Sequence, residues 1–313
     1  MKQLGKRGIT MIVTLVVVSF LVFLAFDVIP GDAATSKLGT QATPERVEAL
    51  REEMGLNRPF LVRYGTWLAG FVKGDMGTSY SYSRPVKGMV ADKVPITVTL
   101  MVLAFILVVA ISIPLGIYAA RYQGRFLDRL IGVIDQIIMA VPPFFSGIII
   151  TVLFGVLLKW FTPGGFVSYT KNWGAFLGYM IFPAIAIALP KIAMAVKLLR
   201  TSILEEIGKD YVRTAYSRGN KTKQVLYRHV LKNALIPVIT FLGMALSDMV
   251  AGSIIIEQVF NIPGLGRILL TSISNRDYPV VEAIIMLIAA LVIIVNFVVD
   301  ALYRVIDPRM RRS

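Results

Sequence analysis

The sequence predicts an all-α integral membrane protein with six transmembrane helices. Of its 313 residues, 56% are hydrophobic and only 17% are charged, and the mean hydropathy of +0.71 exceeds what a soluble domain normally shows. Long apolar stretches also recur along the chain, and a helix needs about 20 such residues to cross a bilayer. The sequence contains no cysteine, which excludes disulfides, cysteine-ligated zinc and thiol catalysis.

The six candidate spans account for most of the apolar residues. They are predicted at residues 9–26, 96–120, 137–158, 174–196, 235–256 and 281–303. Basic residues precede the first stretch, as they do in a signal peptide, but no small-x-small cleavage site follows closely. We therefore predict a retained span, with cleavage as the alternative.

Lysine and arginine are distributed unevenly between the connections. The N-terminus, residues 121–136, residues 191–234 and the C-terminal tail together hold 20 of them, whereas residues 159–173 and 257–280 hold 4. Because short basic loops stay in the cytoplasm, both termini are predicted to be cytoplasmic. The net charge of +14 is then explained by membrane orientation, and nucleic acid is not a predicted partner.

A long connection separates the first two spans and predicts a domain boundary. Residues 1–95 would comprise the first helix and an extracytoplasmic loop region, and residues 96–313 a five-helix core. Within the loop, Thr43 and Pro44 suit a helix N-cap and first helical position, and Gly55 suits the helix end. The loop would either pack as a lid over the spans or dock a soluble partner, and both readings stay open.

Motifs for autonomous chemistry are missing. The sequence has no GxxxxGK[ST] and no HExxH, and its one histidine is His229, so the chain is predicted to be neither an ATPase nor a metalloenzyme. No series of charges runs through several spans, as a proton relay or voltage sensor would require. We predict a passive conduit that takes its energy from a partner, with an ATP-independent secondary transporter or channel as the alternative.

Proline and charge interrupt the spans at a few positions. Helix kinks are predicted at Pro114, Pro142, Pro143, Pro183 and Pro190. Asp248 lies about two thirds along the fifth span and is a candidate intramembrane polar site, either functional or a hydrogen-bonding partner for a neighbouring helix. Lys191 is predicted near a span end, where its ammonium group can reach the interface.

A basic segment at about residues 200–234 joins the fourth and fifth spans. Residues 210–217 are predicted to form a short helix, residues 218–220 a break at glycine, and residues 222–235 a second short helix. Both short helices are expected on the cytoplasmic surface, where the basic side chains would meet anionic lipid or an acidic protein surface.

Within this segment, the motif RTAYSRG, Arg213 to Gly219, resembles the EAA-x-x-x-G loop shared by permease subunits of binding-protein-dependent ABC importers. The longer DYVRTAYSRG, followed by VLYRHVLKNALIP, is similar to the oligopeptide, dipeptide and nickel branch, and most like an oligopeptide permease B-type subunit. Arg213 and Thr214 replace the Glu and Ala of the general pattern, as in that branch. VFNIPGLGRILLTSISNRDYPVV and VIPGDAA support the resemblance, which covers essentially the whole chain.

The resemblance implies a type I ABC importer (MetI-like) permease fold with an extracytoplasmic insertion after the first helix, in the plasma or inner membrane of a prokaryote. It implies four kinds of partner: a second homologous permease, two cytoplasmic ATPase subunits, an extracytoplasmic solute-binding protein and membrane lipid. ATP and Mg would be bound by the ATPases, with no cofactor in this non-catalytic chain. Oligopeptides or dipeptides are the implied cargo, and nickel, glutathione or another small solute is the alternative.

The resemblance also implies where the ATPases bind. The short helix of the loop would seat in a groove of an ATPase subunit, so that closure of the nucleotide-bound ATPases moves the membrane helices. The predicted coupling-loop residues are Asp210, Tyr211, Arg213, Thr214, Ala215, Ser217 and Gly219.

Overall fold

The computed structural model describes residues 2–28 and 32–306, and within these ranges the chain is helical, with one isolated β-bridge between Thr78 and Pro85. The predicted all-α class is therefore confirmed. Residues 29–31 of the VIPGDAA motif and the basic tail at 307–313 lie outside the described residues.

The helices follow one another with short connections. In chain order they are α1 (Lys2–Val28), α2 (Ala33–Leu38), α3 (Pro44–Glu53), α4 (Phe60–Val72), α5 (Val86–Ala91), α6 (Val94–Arg121) and α7 (Phe126–Ala140). The second half comprises α8 (Pro143–Ile150), α9 (Trp173–Ile207), α10 (Asp210–Ser217), α11 (Thr222–Val225), α12 (Leu231–Val259), α13 (Leu265–Ser274) and α14 (Tyr278–Ile306). Single π-helical segments, Thr151–Leu157 and Leu226–Val230, continue α8 and α11.

The helices divide into two compact units, residues 1–97 with 263–294 and residues 98–262 with 295–313. In the first unit, α1 packs against α4 through aromatic side chains, with Phe20 and Phe23 meeting Tyr64 edge-on at 5.4 and 5.6 Å between ring centroids. The Ser19 and Tyr64 hydroxyls are 2.9 Å apart in a hydrogen bond. This contact holds the amphipathic α4 against the first span.

The predicted helix in the long connection is confirmed as α3. The Thr43 hydroxyl accepts a hydrogen bond from the Arg46 backbone N–H at 3.4 Å, and Pro44 occupies the first helical position. Gly55 follows the helix with a φ of +68°, a conformation that glycine adopts without steric cost. The predicted boundary between residues 95 and 96 stays a prediction.

In the second unit, α9 is the central helix and packs against α7, α8 and α12. Its alanine-rich surface allows close packing, and a Cβ atom at Gly116 of α6 would lie 2.9 Å from Leu199 of α9. Small residues at such contacts let membrane helices approach each other closely. The core of this unit therefore forms around α9.

The third predicted span differs from the structure. Residues 137–158 were expected to form one helix, but α7 and α8 are separate helices with a bend of 106° between them. Pro142 and Pro143 explain the break, because a residue before proline is driven out of the helical region, and Val141 and Pro142 have extended ψ values of 123° and 145°. Among the described residues, five helices qualify as spans by length and composition, and there are six if this bent pair is one broken span rather than a re-entrant loop.

Two further expectations are corrected by the lengths of the spans. α9 continues to Ile207, well beyond the predicted end at residue 196, and the second short helix expected after Gly219 is instead continuous with the fifth span from Thr222 to Val259. Pro183 and Pro190 lie inside α9 without ending it, as Pro114 does in α6. Neighbouring helices tolerate such prolines in membrane spans.

Candidate functional site

The helix α10 begins and ends as the sequence predicts, over Asp210–Ser217. Asp210 in its first turn is favourable because an acidic side chain complements the N-terminal end of the helix dipole. Beyond the end, Gly219 has a φ of +80°, and Asn220 donates from its side-chain amide to the Ala215 carbonyl at 2.9 Å. The left-handed glycine and this hydrogen bond give the helix a defined C-terminal stop.

One face of α10 is turned into the protein. Val212 and Ala215 are buried, and Ala215 is only 5% exposed. The helix packs against α11 and the π-helical segment after it, where Val225 and Val230 are also buried. Burial of these apolar side chains determines which face of α10 points into the protein and which face stays exposed.

A hydrogen-bond network joins α10 to two membrane helices. The Tyr211 hydroxyl donates to Glu206 of α9 at 2.5 Å and accepts from the Asn233 amide of α12 at 3.2 Å, and Lys209 forms an ion pair with Glu206. Burial raises the pKa of Tyr211, and its hydrogen bond to Glu206 raises it further, so the donor stays protonated. α10 is thereby tied to the end of α9 and the start of α12.

The opposite face of α10 is exposed. It carries Asp210, Arg213, Thr214 and Ser217, with Gly219 exposed beyond its end. Arg213 and Asp210 are 3.7 Å apart, but their side chains are 79% and 96% exposed, so the pair contributes little to stability. The predicted coupling-loop residues thus fall into two sets. Most have side chains exposed on the protein surface, whereas Tyr211 and Ala215 face the protein interior, where their positions suit packing rather than contact with a partner.

Asp248 of α12 has a partner in this chain. Its carboxylate accepts a hydrogen bond from the Lys191 ammonium of α9 at 2.7 Å, with the Asp248 side chain 65% exposed. α9 extends well past residue 196, so Lys191 lies near the middle of the helix rather than near its end, and its position near the membrane interface stays a prediction. The intramembrane role of Asp248 stays a prediction.

A buried ion pair that the sequence analysis missed joins α7 to α9. Both Asp128 carboxylate oxygens accept from the Arg200 guanidinium, at 2.6 and 2.8 Å, and one also accepts from the Gly124 backbone N–H at 2.8 Å. The Asp128 side chain is 4% exposed. Because the span was expected to begin at residue 137, Asp128 was counted among loop residues.

A second missed carboxylate organises a loop in the first unit. Asp277, fully buried before α14, accepts hydrogen bonds from the Ser79 hydroxyl and from the backbone N–H groups of Tyr80, at 2.8 Å, and Ser81, at 3.3 Å. Its backbone carbonyl accepts from Val281 at 3.1 Å. The sequence signal was present, since Asp just before Tyr278-Pro279 suits the N-terminus of a helix.

Comparison with known proteins places these features in a family. Residues 112–312 match the model of the binding-protein-dependent transport system inner membrane component, and residues 1–101 match the N-terminal model of the same kind of membrane component.

In the part of the chain that the structure describes, no group of three or more His, Asp or Glu side chains is placed to hold a metal ion.

Several curated relatives match over nearly their full length. A probable peptide ABC transporter permease of Sinorhizobium fredii is 34% identical over 306 residues, 98% of each chain. The oligopeptide transport permease AppB of Bacillus subtilis is 34% identical over 97% of this chain and 98% of its own. The glutathione transport permease GsiC of Escherichia coli is 34% identical over 98% of this chain and 97% of its own.

A solved structure supports the fold. A chain from inward-facing crystal structures of the MetNI methionine ABC transporter superposes with a TM-score of 0.54, covering 69% of this chain and 94% of its own, at 18% identity. The predicted type I importer permease fold is therefore confirmed. Together with the family match over residues 112–312, this shows that the chain belongs to the binding-protein-dependent transport system inner membrane components, the permease subunits of ABC importers.

Proposed function

We propose that this chain is the non-catalytic subunit through which peptides cross the membrane in an ATP-driven importer. The observation that carries the proposal is α10, a helix with one exposed face whose Tyr211 is hydrogen-bonded to Glu206 of α9 and Asn233 of α12. Such a helix can pass movement of a partner to two membrane helices at once. Relatives named as peptide permeases, matching over 97% or more of this chain, support the cargo.

The proposed assembly contains a second homologous permease, two ATPase subunits and a solute-binding protein, in a prokaryotic inner membrane. ATP and Mg would bind to the ATPases, because the sequence holds no phosphate-binding loop. ATP can then shift the equilibrium between the inward-facing and outward-facing states only to the extent that its affinity differs between the two states. Glutathione is itself a tripeptide, so the relative named for its transport supports the same cargo class; nickel remains the alternative.

Uptake by reconstituted vesicles tests this function. The vesicles contain the two permease subunits in the membrane and the two ATPase subunits on its inner side, and the binding protein is added outside. They are expected to accumulate a labelled dipeptide or glutathione only when ATP is enclosed in the vesicle lumen. An ionophore that collapses ion gradients should leave this uptake unchanged. Uptake by the present chain alone, abolished by the ionophore, would instead identify a secondary transporter.

We infer that both termini and α10 face the cytoplasm, from the charge bias of the loops. The sequence contains no cysteine, so single introduced cysteines report orientation without background. A membrane-impermeant maleimide is expected to label Thr170→Cys in intact cells and to label Lys223→Cys only after lysis; both positions are exposed. The reverse pattern would contradict the inferred orientation.

A further inference from the structure

A cavity of about 350 Å³ lies within the unit formed by residues 1–97 and 263–294. Its aromatic wall consists of Phe23 and Phe26 from α1, Trp67 from α4, Tyr80 from the connection before α5 and Tyr278 from α14. The volume lies in the range of sites that bind small molecules, and such sites combine an apolar wall with a few convergent polar groups. The polar groups therefore decide what this cavity accepts.

Three hydrogen-bonding atoms of the cavity-lining residues are buried without a partner. They are the Arg63 Nε, the Trp67 Nε1 and the Tyr278 hydroxyl, three of the five such side-chain atoms found in the described residues. Buried polar groups in folded proteins are nearly always hydrogen-bonded, since leaving one unpaired costs free energy. Their concentration at one cavity indicates that an acceptor belongs there.

The cavity also contains a carboxyl group to which the described residues make no hydrogen bond or ion pair. This group belongs to Glu282, which lines the cavity and is 6% exposed. Arg63 acts on Glu282 electrostatically, but its ion pair is with Asp27. A buried carboxylate in a membrane helix needs a donor or a cation beside it.

These two demands define the chemistry of the ligand. An anion alone would satisfy the three unpaired donors but would leave Glu282 without a partner, and an organic cation alone would leave the donors unpaired. The charged residues lining the cavity balance, with Asp27 and Glu282 against Arg58 and Arg63. A ligand with no net charge that carries both a donor cation and an anionic acceptor meets every requirement.

We propose that this cavity binds a zwitterionic group with a primary ammonium beside Glu282 and an anionic acceptor beside Arg63, Trp67 and Tyr278. Two sources share this chemistry: the headgroup of an ethanolamine phospholipid and a free amino acid. α1 and α4, which contribute the walls, also expose apolar side chains such as Ile12, Val16 and Leu61, as lipid-facing helices do. A headgroup would therefore reach the cavity with its acyl chains against these helices.

The test uses the full-length chain in phosphatidylcholine nanodiscs, because the quaternary ammonium of choline has no N–H to donate to Glu282. Thermal unfolding is measured with increasing phosphatidylethanolamine, with added alanine, and with inorganic phosphate. A saturable rise in the unfolding midpoint is expected with phosphatidylethanolamine or with alanine, and whichever acts identifies the source. Phosphate should have no effect. The proposal is overturned if neither zwitterion gives a saturable rise, or if phosphate matches them.

Variants separate binding from folding. Trp67→Phe removes one donor but keeps the aromatic wall, and Glu282→Gln removes the charge; each is expected to raise the half-saturating ligand concentration at least about tenfold. The matched control is Trp173→Phe, at a 58% exposed position of the other unit, and it should leave that concentration unchanged. Wild-type half-saturation in Trp67→Phe would also overturn the proposal. Transport is not measured, so the result is independent of the proposed function.

Discussion

Replacing Arg213 by Glu and Thr214 by Asp together is expected to abolish ATP-dependent uptake while the chain remains folded in the membrane. Both side chains lie on the exposed face of α10, away from the buried contacts of Val212 and Ala215. New acidic charge at a charged interface costs several kcal/mol in binding when like charges meet. Uptake and co-purification of the ATPase subunits should therefore both fall more than about tenfold.

The control for this variant is Arg46→Glu, which reverses a charge at an exposed position of α3. It should leave uptake and co-purification at wild-type levels. The thermal midpoint of each variant shows whether the chain is intact, because an exposed substitution changes stability little. If the double variant keeps its ATPase subunits and its uptake, α10 is not the coupling surface.

Asp128→Ala is expected to lower the free energy of unfolding by about 2–3 kcal/mol. The substitution removes a carboxylate that is 4% exposed and leaves the Arg200 guanidinium and the Gly124 N–H without their acceptor. The loss is smaller than for a fully buried pair because Arg200 is 32% exposed and can be partly hydrated. Reversible unfolding in mixed detergent measures the change.

Two further variants check this explanation. Adding Arg200→Met to Asp128→Ala should recover part of the stability, because the unpaired charge is removed and a side chain of similar length remains. Asp210→Ala also breaks an ion pair, but one outside the spans in which the acid is 96% exposed, so its cost should stay within about 1 kcal/mol. Equal losses from Asp128→Ala and Asp210→Ala would show that burial of the carboxylate is not the cause.

Much of the fold could be predicted because the interactions that determine it are between residues close together in the sequence. Five spans are visible as apolar runs, since lipid-exposed backbone must satisfy its own hydrogen bonds in a helix. The ends of α10 follow from a first-turn acid and a terminal glycine, and α3 follows from Thr43, Pro44 and Gly55. Each of these signals acts within a few residues of the chain.

The features that could not be predicted depend on pairing between distant residues. Asp128 and Arg200, or Ser79 and Asp277, are far apart in sequence, and hydropathy does not show which charges meet. Helix continuation is also hidden, because α9 carries Lys197 and Arg200 before its end and these look like a loop. Tyr211 and Ala215 match the motif, but only the packing of α10 shows that they face inward.

The fifth span is continuous with the segment after Gly219, so the two would move together as one long, stiff helix. The uninterrupted helical run from Thr222 to Val259 contains 38 residues and is about 57 Å long at 1.5 Å per residue, whereas the hydrocarbon core is about 30 Å thick. A tilt of about 5° at one end displaces the other by about 5 Å, close to one helical turn. Since α10 packs against α11, the first turn of this run, a small rotation there would be amplified at the far side of the membrane.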